Sequence, residues 1–328
     1  MMRLPPFTYV RPSGLAEACA ALAEYPGAVP VAGGTDLYPK LKRRLAEPSV
    51  LVSLAGVPEL RGIRENGDGS LAIGAATTLA ELISHPTVVA RYPALARAAE
   101  LVSSPQIRNA ATVGGNLCVD TRCNRFDQTA DWRAALRFCL KAGSDICRLA
   151  PGGGRCWAVS SSDLAPVAIA LGAQVRLANA GGERVAPAAA LYEDDGVAYL
   201  TTGPGELLTE LLLPPVDGLR ATYLKLRLRG SIDFPLLGVA AAARLDADGT
   251  CTEAWIVLGG VASLPFRVTR AEELLIGQRL DPEAIKAAAG AAAGQAKPME
   301  NADLTPLYRK RMVGVYVGRA LAELAAVS

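Results

Sequence analysis

Histidine is almost missing from this chain of 328 residues: the one copy, His85, stands before Pro86. Histidine-based triads, H-E-x-x-H zinc sites and metal sites built from several histidines are thereby excluded. A cofactor must then supply any redox chemistry, and His85 itself reads as a structural residue in a His-Pro turn. Long apolar runs are missing too. None reaches the ~20 residues that span a bilayer, and Met1–Phe7 lacks the apolar core of an export signal. The expectation is a cytoplasmic chain with no membrane contact. An excess of either charge is missing too, 34 Lys and Arg nearly matching 32 Asp and Glu for a formal net charge of +2, and no basic stripe interleaved with aromatics appears, so nucleic acid is not an expected partner. The densest basic run, Lys40-Leu41-Lys42-Arg43-Arg44, reads most simply as the solvated face of a helix, with a place near a cofactor phosphate or a partner as the alternative. Neither G-x-G-x-x-G nor a glycine-rich loop ending in G-K-[ST] occurs, which removes the Rossmann and P-loop signatures.

What is present begins with hydrophobic residues, 51% of the chain, enough for sizeable cores in two or three domains. The periodicity predicts helices over Leu15 to Tyr25, Leu37 to Leu45, from about Leu79, over Pro93 to Leu101, Pro282 to Ala296 and Leu307 to Ala326. Strands are predicted in the short β-branched run from Ala28 that breaks at Gly33-Gly34, and at Ser49 to Leu54, Leu71 to Ala75, Gln174 to Leu177, Val197 to Thr201 and Leu207 to Leu213. Three more follow at Ala221 to Arg227, Val239 to Leu245 and Cys251 to Leu258. Pro214-Pro215 is the best domain boundary. The Ala/Gly-rich stretch 287–294 reads as a weakly packed helix.

Two Gly-Gly turns stand out: Gly33-Gly34 in V-A-G-G-T-D-L (Val31 to Leu37) and Gly114-Gly115 in A-T-V-G-G-N-L-C (Ala111 to Cys118). Glycine lets a backbone approach a ligand closely, and successive N–H groups can cradle a pyrophosphate. A buried tight turn explains either motif alone. Together with S-D-L-A-P at Ser162 to Pro166, they resemble the FAD-binding medium subunits of the molybdenum hydroxylases, the xanthine dehydrogenase and carbon monoxide dehydrogenase group. The resemblance covers nearly the whole chain. It implies an α+β protein: a two-subdomain FAD-binding fold of the PCMH type (residues 1–215, divided at about 57/58), then a C-terminal α+β domain of the CO dehydrogenase flavoprotein type (216–328). It also implies site residues. Pro30, Val31, Ala32, Gly33, Gly34, Thr35, Asp36 and Leu37 would wrap the pyrophosphate and adenine side of FAD. Thr112, Gly115 and Asn116 would hold phosphate or ribitol, and Asp163 a hydroxyl of the cofactor. Leu208 and Lys225 would lie near the flavin ring. On the residues alone, Asp163 could instead cap the following helix, and Lys225 could be a surface lysine on an edge strand.

Between Cys118 and Ser162 lies a polar stretch of about forty residues with four cysteines, Cys123, Cys139, Cys147 and Cys156, spaced C-x15-C-x7-C-x8-C. Seven cysteines without an export signal disfavour a disulfide framework. Cys19 and Cys251 sit in apolar segments as core thiols, and Cys118 belongs to the glycine motif. Four thiolates in one short segment point to a metal centre. Soft sulfur selects an iron–sulfur cluster or zinc, and the wide spacing is unlike the paired C-x2-C of zinc ribbons. Having few apolar residues, the insertion (about 119–160) would need ligation to fold. Trp132, Arg133, Arg137 and Arg148 surround the cysteines, where they could tune a cluster or face solvent or a partner.

Most members of the family lack such an insertion. One branch has it, and the chain looks like that branch: the β subunits of 4-hydroxybenzoyl-CoA reductases, with FAD and a [4Fe–4S] cluster. The resemblance implies Cys123, Cys139, Cys147 and Cys156 as the cluster ligands and no catalytic residue on this chain. It implies a large molybdenum-cofactor subunit, a small subunit with two [2Fe–2S] clusters, ferredoxin as electron donor, and a dimer of heterotrimers. Two rivals stay open. One is the FAD subunit of an ordinary molybdenum hydroxylase with zinc-bound or idle cysteines. The other is a non-catalytic binding module stapled by zinc.

Overall fold

Three separate sheets organise the chain, which a computed structural model describes over residues 3–326. The first is parallel, with strand order Thr8–Val10, Val50–Ser53, Val29–Val31. The second has five antiparallel strands: Ile63–Glu65, Leu71–Gly74, Leu207–Leu213, Gln174–Asn179 and Gly182–Pro187. The third has four antiparallel strands, ordered Phe266–Arg267, Cys251–Gly259, Leu237–Leu245, Leu219–Leu226. This is the mixed α+β architecture expected of a FAD-binding domain followed by a C-terminal domain.

The third sheet explains an odd piece of sequence. Leu237–Leu245 is an almost unbroken apolar run, where a sheet with one wet face would alternate. Val239, Ala241 and Ala243 pack under the helices Pro282–Gln295 and Pro306–Ala326, whose Ala288, Val313 and Val317 share their core. Ala240 and Ala242 point the other way, into the core that includes Leu164 and Val167 of the Leu164–Ala170 helix. Both faces are covered, so both parities are apolar. Small residues there let the helix lie close to the sheet. The C-terminal sheet is thus joined to the FAD-binding domain by a shared core.

Most predicted elements are present, with ends shifted by a residue or two. Thr78 caps the Leu79–Ser84 helix through a reciprocal pair with Glu81, the capping-box arrangement. His85 joins that helix to Pro86–Arg91, the structural role expected. Three readings need correction. The helix after Asp36 ends at Lys42, not Leu45. Val197 to Thr201 is no strand: Asp195 Oδ1 accepts from Val197 N and Ala198 N, and this Asx turn leaves a single bridge, Tyr192 to Leu200. The second Gly-Gly pair is no turn but the first turn of the helix Val113–Leu117, because Thr112 Oγ1 caps it at Gly115 N (3.1 Å). The strand Gly182–Pro187 gave no apolar signal, being a mostly exposed edge strand. Its register comes from the hairpin with Gln174–Asn179 and from Arg184 to Glu206, a fork of two bonds at 2.6 and 2.7 Å.

Candidate functional site

The loop after Val29–Val31 is shaped by its two glycines. Gly34 takes a left-handed φ of +68°, which a side chain resists. Gly33 is forced by proximity: a Cβ on it would stand 1.8 Å from the carbonyl oxygen of Ala110. The structure therefore presses the 30–37 loop against the start of the 110–116 segment. Gly114 is needed for a similar reason, its Cβ position lying 2.7 Å from that of Ala75. Of the three expected ligands here, Gly115 is exposed and Asn116 half-buried, while Thr112 is buried at its capping post. Asn116 has a second task. Its Oδ1 accepts from Ser162 Oγ (2.9 Å) and Leu164 N (3.0 Å), which fixes the S-D-L-A-P segment beside the glycine helix.

That segment carries Asp163, and here both alternative readings fail. Asp163 makes no capping bond to the Leu164–Ala170 helix, since Asn116 and Ser162 already serve the free N–H groups at Leu164 and Ala165. Lys225 is on the edge strand Leu219–Leu226, yet its side chain is only 1% exposed. The two meet. Lys225 Nζ lies 2.9 Å from Asp163 Oδ2, Tyr223 OH donates to Asp163 Oδ1 at 2.7 Å, and Lys225 also donates to Leu101 O at 2.9 Å. Burial pushes the Asp163 carboxyl up and the Lys225 ammonium down, each opposed by the charge of the other. Tyr223 was missed from the sequence, although residues two apart on a strand share a face. Leu208 is a buried core residue of its strand, facing Leu177 in register.

The insertion folds around its cysteines. Cys123, Cys139, Cys147 and Cys156 are each at most 8% exposed, and all four line one cavity with Phe126, Leu140, Lys141 and Leu149. Its empty space is about 250 Å³, including the opening to solvent. Burial pushes the Cys123 thiol up to about 11 and raises Cys156, where the Lys141 charge acts in the opposite direction. Gly196 packs closely against Cys156, since a Cβ there would come within 2.8 Å of its Sγ. Cys118 does not line the cavity. It packs against the main core, and burial raises its thiol to about 12. Among the described residues, no group of three or more His, Cys, Asp or Glu side chains is gathered closely enough to hold a single metal ion.

The basic run at Lys40 to Arg44 is a solvated face only in part: Lys42 is exposed and Arg43 and Arg44 are half-buried, while Lys40 is buried. Lys40 is 7% exposed and pairs with Asp36 (2.9 Å) and Asp120 (2.7 Å). Arg43 donates to the carbonyl of Asp127, and Arg44 O accepts from Arg133 (2.8 Å). Lys40 and Arg43 turn inward because the insertion folds back over them. Arg133 is accordingly buried, while Arg137 stays exposed. The C-terminal domain holds the other side. Asn301 O accepts from Asn124 N at 2.9 Å, and Asn301 Nδ2 donates to Trp157 O at 2.5 Å, each one residue from a candidate ligand. Asn301 is held by Arg309, fully buried, whose guanidinium also donates to the carbonyls of Leu236, Met299 and Gly260. No carboxylate is among those partners, and burial lowers the Arg309 pKa to about 10. Arg309→Met leaves these acceptors without a donor, each costing about 1–3 kcal/mol. A fall in urea midpoint with an unchanged slope is expected, and an unchanged midpoint would show that the network contributes nothing.

The description "FAD binding domain in molybdopterin dehydrogenase" matches residues 5–216, and "CO dehydrogenase flavoprotein C-terminal domain" matches 221–324. The carbon monoxide dehydrogenase medium chain of Hydrogenophaga pseudoflava is 32% identical over 97% of this chain and 96% of its own length. The FAD-binding subunit of an Escherichia coli aldehyde oxidoreductase is 34% identical over 82% of this chain and 86% of its own. Among solved structures, the Hydrogenophaga pseudoflava enzyme lacking the Mo-pyranopterin moiety superposes with a TM-score of 0.82 at 30% identity, over 99% of both chains. Quinoline 2-oxidoreductase from Pseudomonas putida 86 gives 0.81 at 25% identity, over 99% of this chain and 98% of that one.

Proposed function

This chain belongs to the family of FAD-binding medium subunits of the molybdenum hydroxylases, and on that premise we propose that it carries a [4Fe–4S] cluster besides FAD, as the electron-transfer subunit of a molybdenum-dependent 4-hydroxybenzoyl-CoA reductase or a close relative. One observation carries the finer reading: four buried thiols, all from one insertion, line a single cavity. Four cysteines match the ligand set of a cubane, and their wide spacing is unlike the paired C-x2-C of zinc ribbons.

When bound, the two groups would pass electrons one at a time between a carrier and the molybdenum partner chains. This chain's residues would bind and insulate them. The 30–37 loop and the Thr112 to Asn116 segment would offer backbone N–H groups to the FAD pyrophosphate. Asp163 would hold a hydroxyl of the cofactor, Lys225 would lie near the flavin ring, and Phe126, Leu140 and Leu149 would keep water from the cluster. The chain itself lends no proton to the substrate. Reductive removal of the phenolic hydroxyl takes two electrons and two protons and releases water, on the large subunit. A small subunit with two [2Fe–2S] clusters would stand between, in a dimer of heterotrimers in the cytoplasm. Among the described residues no helix is long and apolar enough to cross a membrane.

Reduced ferredoxin is the proposed donor. Beside the cysteine cavity, Leu136, Arg137, Phe138 and Ile146 are exposed. Arg137 and Phe138 both hold left-handed backbone, φ +56° and +54°. That conformation is strained for bulky residues and is braced by Arg148, which donates to both of their carbonyls. A rigid apolar and cationic lip suits an acidic carrier, whose encounter rate charge would control. Arg137→Glu should slow reduction by ferredoxin several-fold at low salt, with the difference shrinking at high salt. A salt-independent rate in both proteins would place the donor elsewhere.

The second reading, an ordinary hydroxylase subunit sending electrons outward from molybdenum, is favoured by the relatives' own descriptions as carbon monoxide and aldehyde enzymes. Anaerobic purification with flavin, iron and acid-labile sulfide counted per chain separates the two. One FAD with about four irons and four sulfides supports the cluster. Flavin with zinc or no metal sinks it and leaves the ordinary subunit. A chain without flavin would revive the binding module.

A further inference from the structure

A chain of alternating charges runs between the cysteine cavity and the 30–37 loop. It begins with Lys141, which lines the cavity and whose side chain is 6% exposed. Its ammonium has three fixed acceptors: Asp120 Oδ1 at 2.6 Å, Thr121 Oγ1 at 2.8 Å and the Gly196 carbonyl at 2.5 Å. Asp120 Oδ2 turns to Lys40 at 2.7 Å, and Lys40 to Asp36 at 2.9 Å. Asp36 also pairs with Arg122, the residue before Cys123. The members neutralise one another along the chain, but the arrangement is directional. Its cationic end is at the thiols, and its first carboxylate stands one step behind.

We infer that Lys141 is a positioning residue that sets the reduction potential of the group held by the four cysteines. The inference rests on the cluster reading above. A cluster gains a negative charge on reduction, and its potential follows net charge, hydrogen bonds to sulfur and burial. A cation held in a low-dielectric wall favours the reduced form more than the oxidised one. The three acceptors matter because they hold the ammonium in place as the charge on the cluster changes. Asp120 works against Lys141 at the cavity and, being shared with Lys40, does so incompletely. The two residues therefore shift the potential in opposite directions, which a purely structural role for either would not produce.

The test uses the complete complex. Iron and sulfide are counted per chain, and the cluster midpoint is read by a redox titration followed by electron paramagnetic resonance at one fixed pH. Lys141→Met should keep its iron and lower the midpoint by at least 59 mV, tenfold in a one-electron equilibrium. Lys141→Arg, which keeps the charge, should move it by less than half as much. Asp120→Asn should raise it. A fully loaded Lys141→Met with the wild-type midpoint overturns the inference. If Lys141→Met fails to hold iron, the Asp120→Asn result decides: an upward shift supports the inference, and an unchanged or lowered midpoint overturns it. Wild-type protein without iron defeats the cluster reading itself, and the inference with it, and is distinguished from the other failure by the iron count alone.

Discussion

Lys225→Met is expected to lose about 3–5 kcal/mol of stability, the usual cost of removing one partner from a buried ion pair. Asp163 would keep the Tyr223 hydroxyl and lose the ammonium it pairs with. Its side chain is 3% exposed, so water cannot take the place of the ammonium. The cost depends on pH with a definite sign. Burial already raises the folded-state pKa of Asp163 above 3.8 against the pull of Lys225, and without Lys225 the rise grows. A carboxyl with a raised folded pKa gives its full stability below the unfolded value and loses it as pH climbs through the folded one. The variant should therefore be least impaired in mild acid and fall further behind wild type towards neutral pH. Asp163→Asn combined with Lys225→Met removes both charges and should recover most of the loss, because exchanging a whole buried pair for neutral groups is often close to neutral. Urea midpoints at several pH values check all three statements. A double variant as weak as the single one would show that packing, not charge, holds this seam.

Gly33→Ala should abolish flavin binding. A methyl group on Gly33 would stand 1.8 Å from the Ala110 oxygen and 2.6 Å from its carbonyl carbon. Both are backbone atoms, which cannot swing aside as a side chain can. The 30–37 loop must part from the 110–116 segment, and the proposed pyrophosphate cradle is made of both. Flavin per chain, read from absorbance after gel filtration, should fall to a few per cent of wild type, with a loss of stability in the overpacking range of about 1–3 kcal/mol. Gly67→Ala is the control, because nothing lies within 4 Å of a Cβ there and the residue is exposed and outside the proposed cradle, so flavin is kept. Equal retention in both variants would remove the cradle from the 30–37 loop.

Gly33 and Gly115 belong to equally suggestive pairs. In sequence they look alike, and the expectation of two similar turns followed. Only the fold distinguishes a glycine required by a backbone 77 positions away from one in the first turn of a Thr-capped helix. The cysteines were easier. Their grouping within one polar stretch marks them wherever the chain goes, and all four do face one cavity. Lys40 and Arg309 were not legible. A basic run looks solvated when nothing local covers it, and a lone arginine on a long helix carries no mark of burial. Lys40 is buried by residues 80 positions later, and Arg309 spans to Leu236.

Local patterns therefore determined much of this protein by themselves. The helices and strands follow from apolar period and caps, the family from three motifs in order, and the cysteine set from spacing. These are properties of neighbours, which share a few residues of backbone and need no distant partner. The tertiary structure decided the rest: that Asp163 meets Lys225, that Lys40 is buried within the basic run, and that one lysine faces the thiols with a carboxylate behind it. Each of these depends on segments that only the fold brings together. Charged side chains stay in water unless a partner arrives to offset desolvation. Their burial is set by which segments the fold brings together, and no single segment records it.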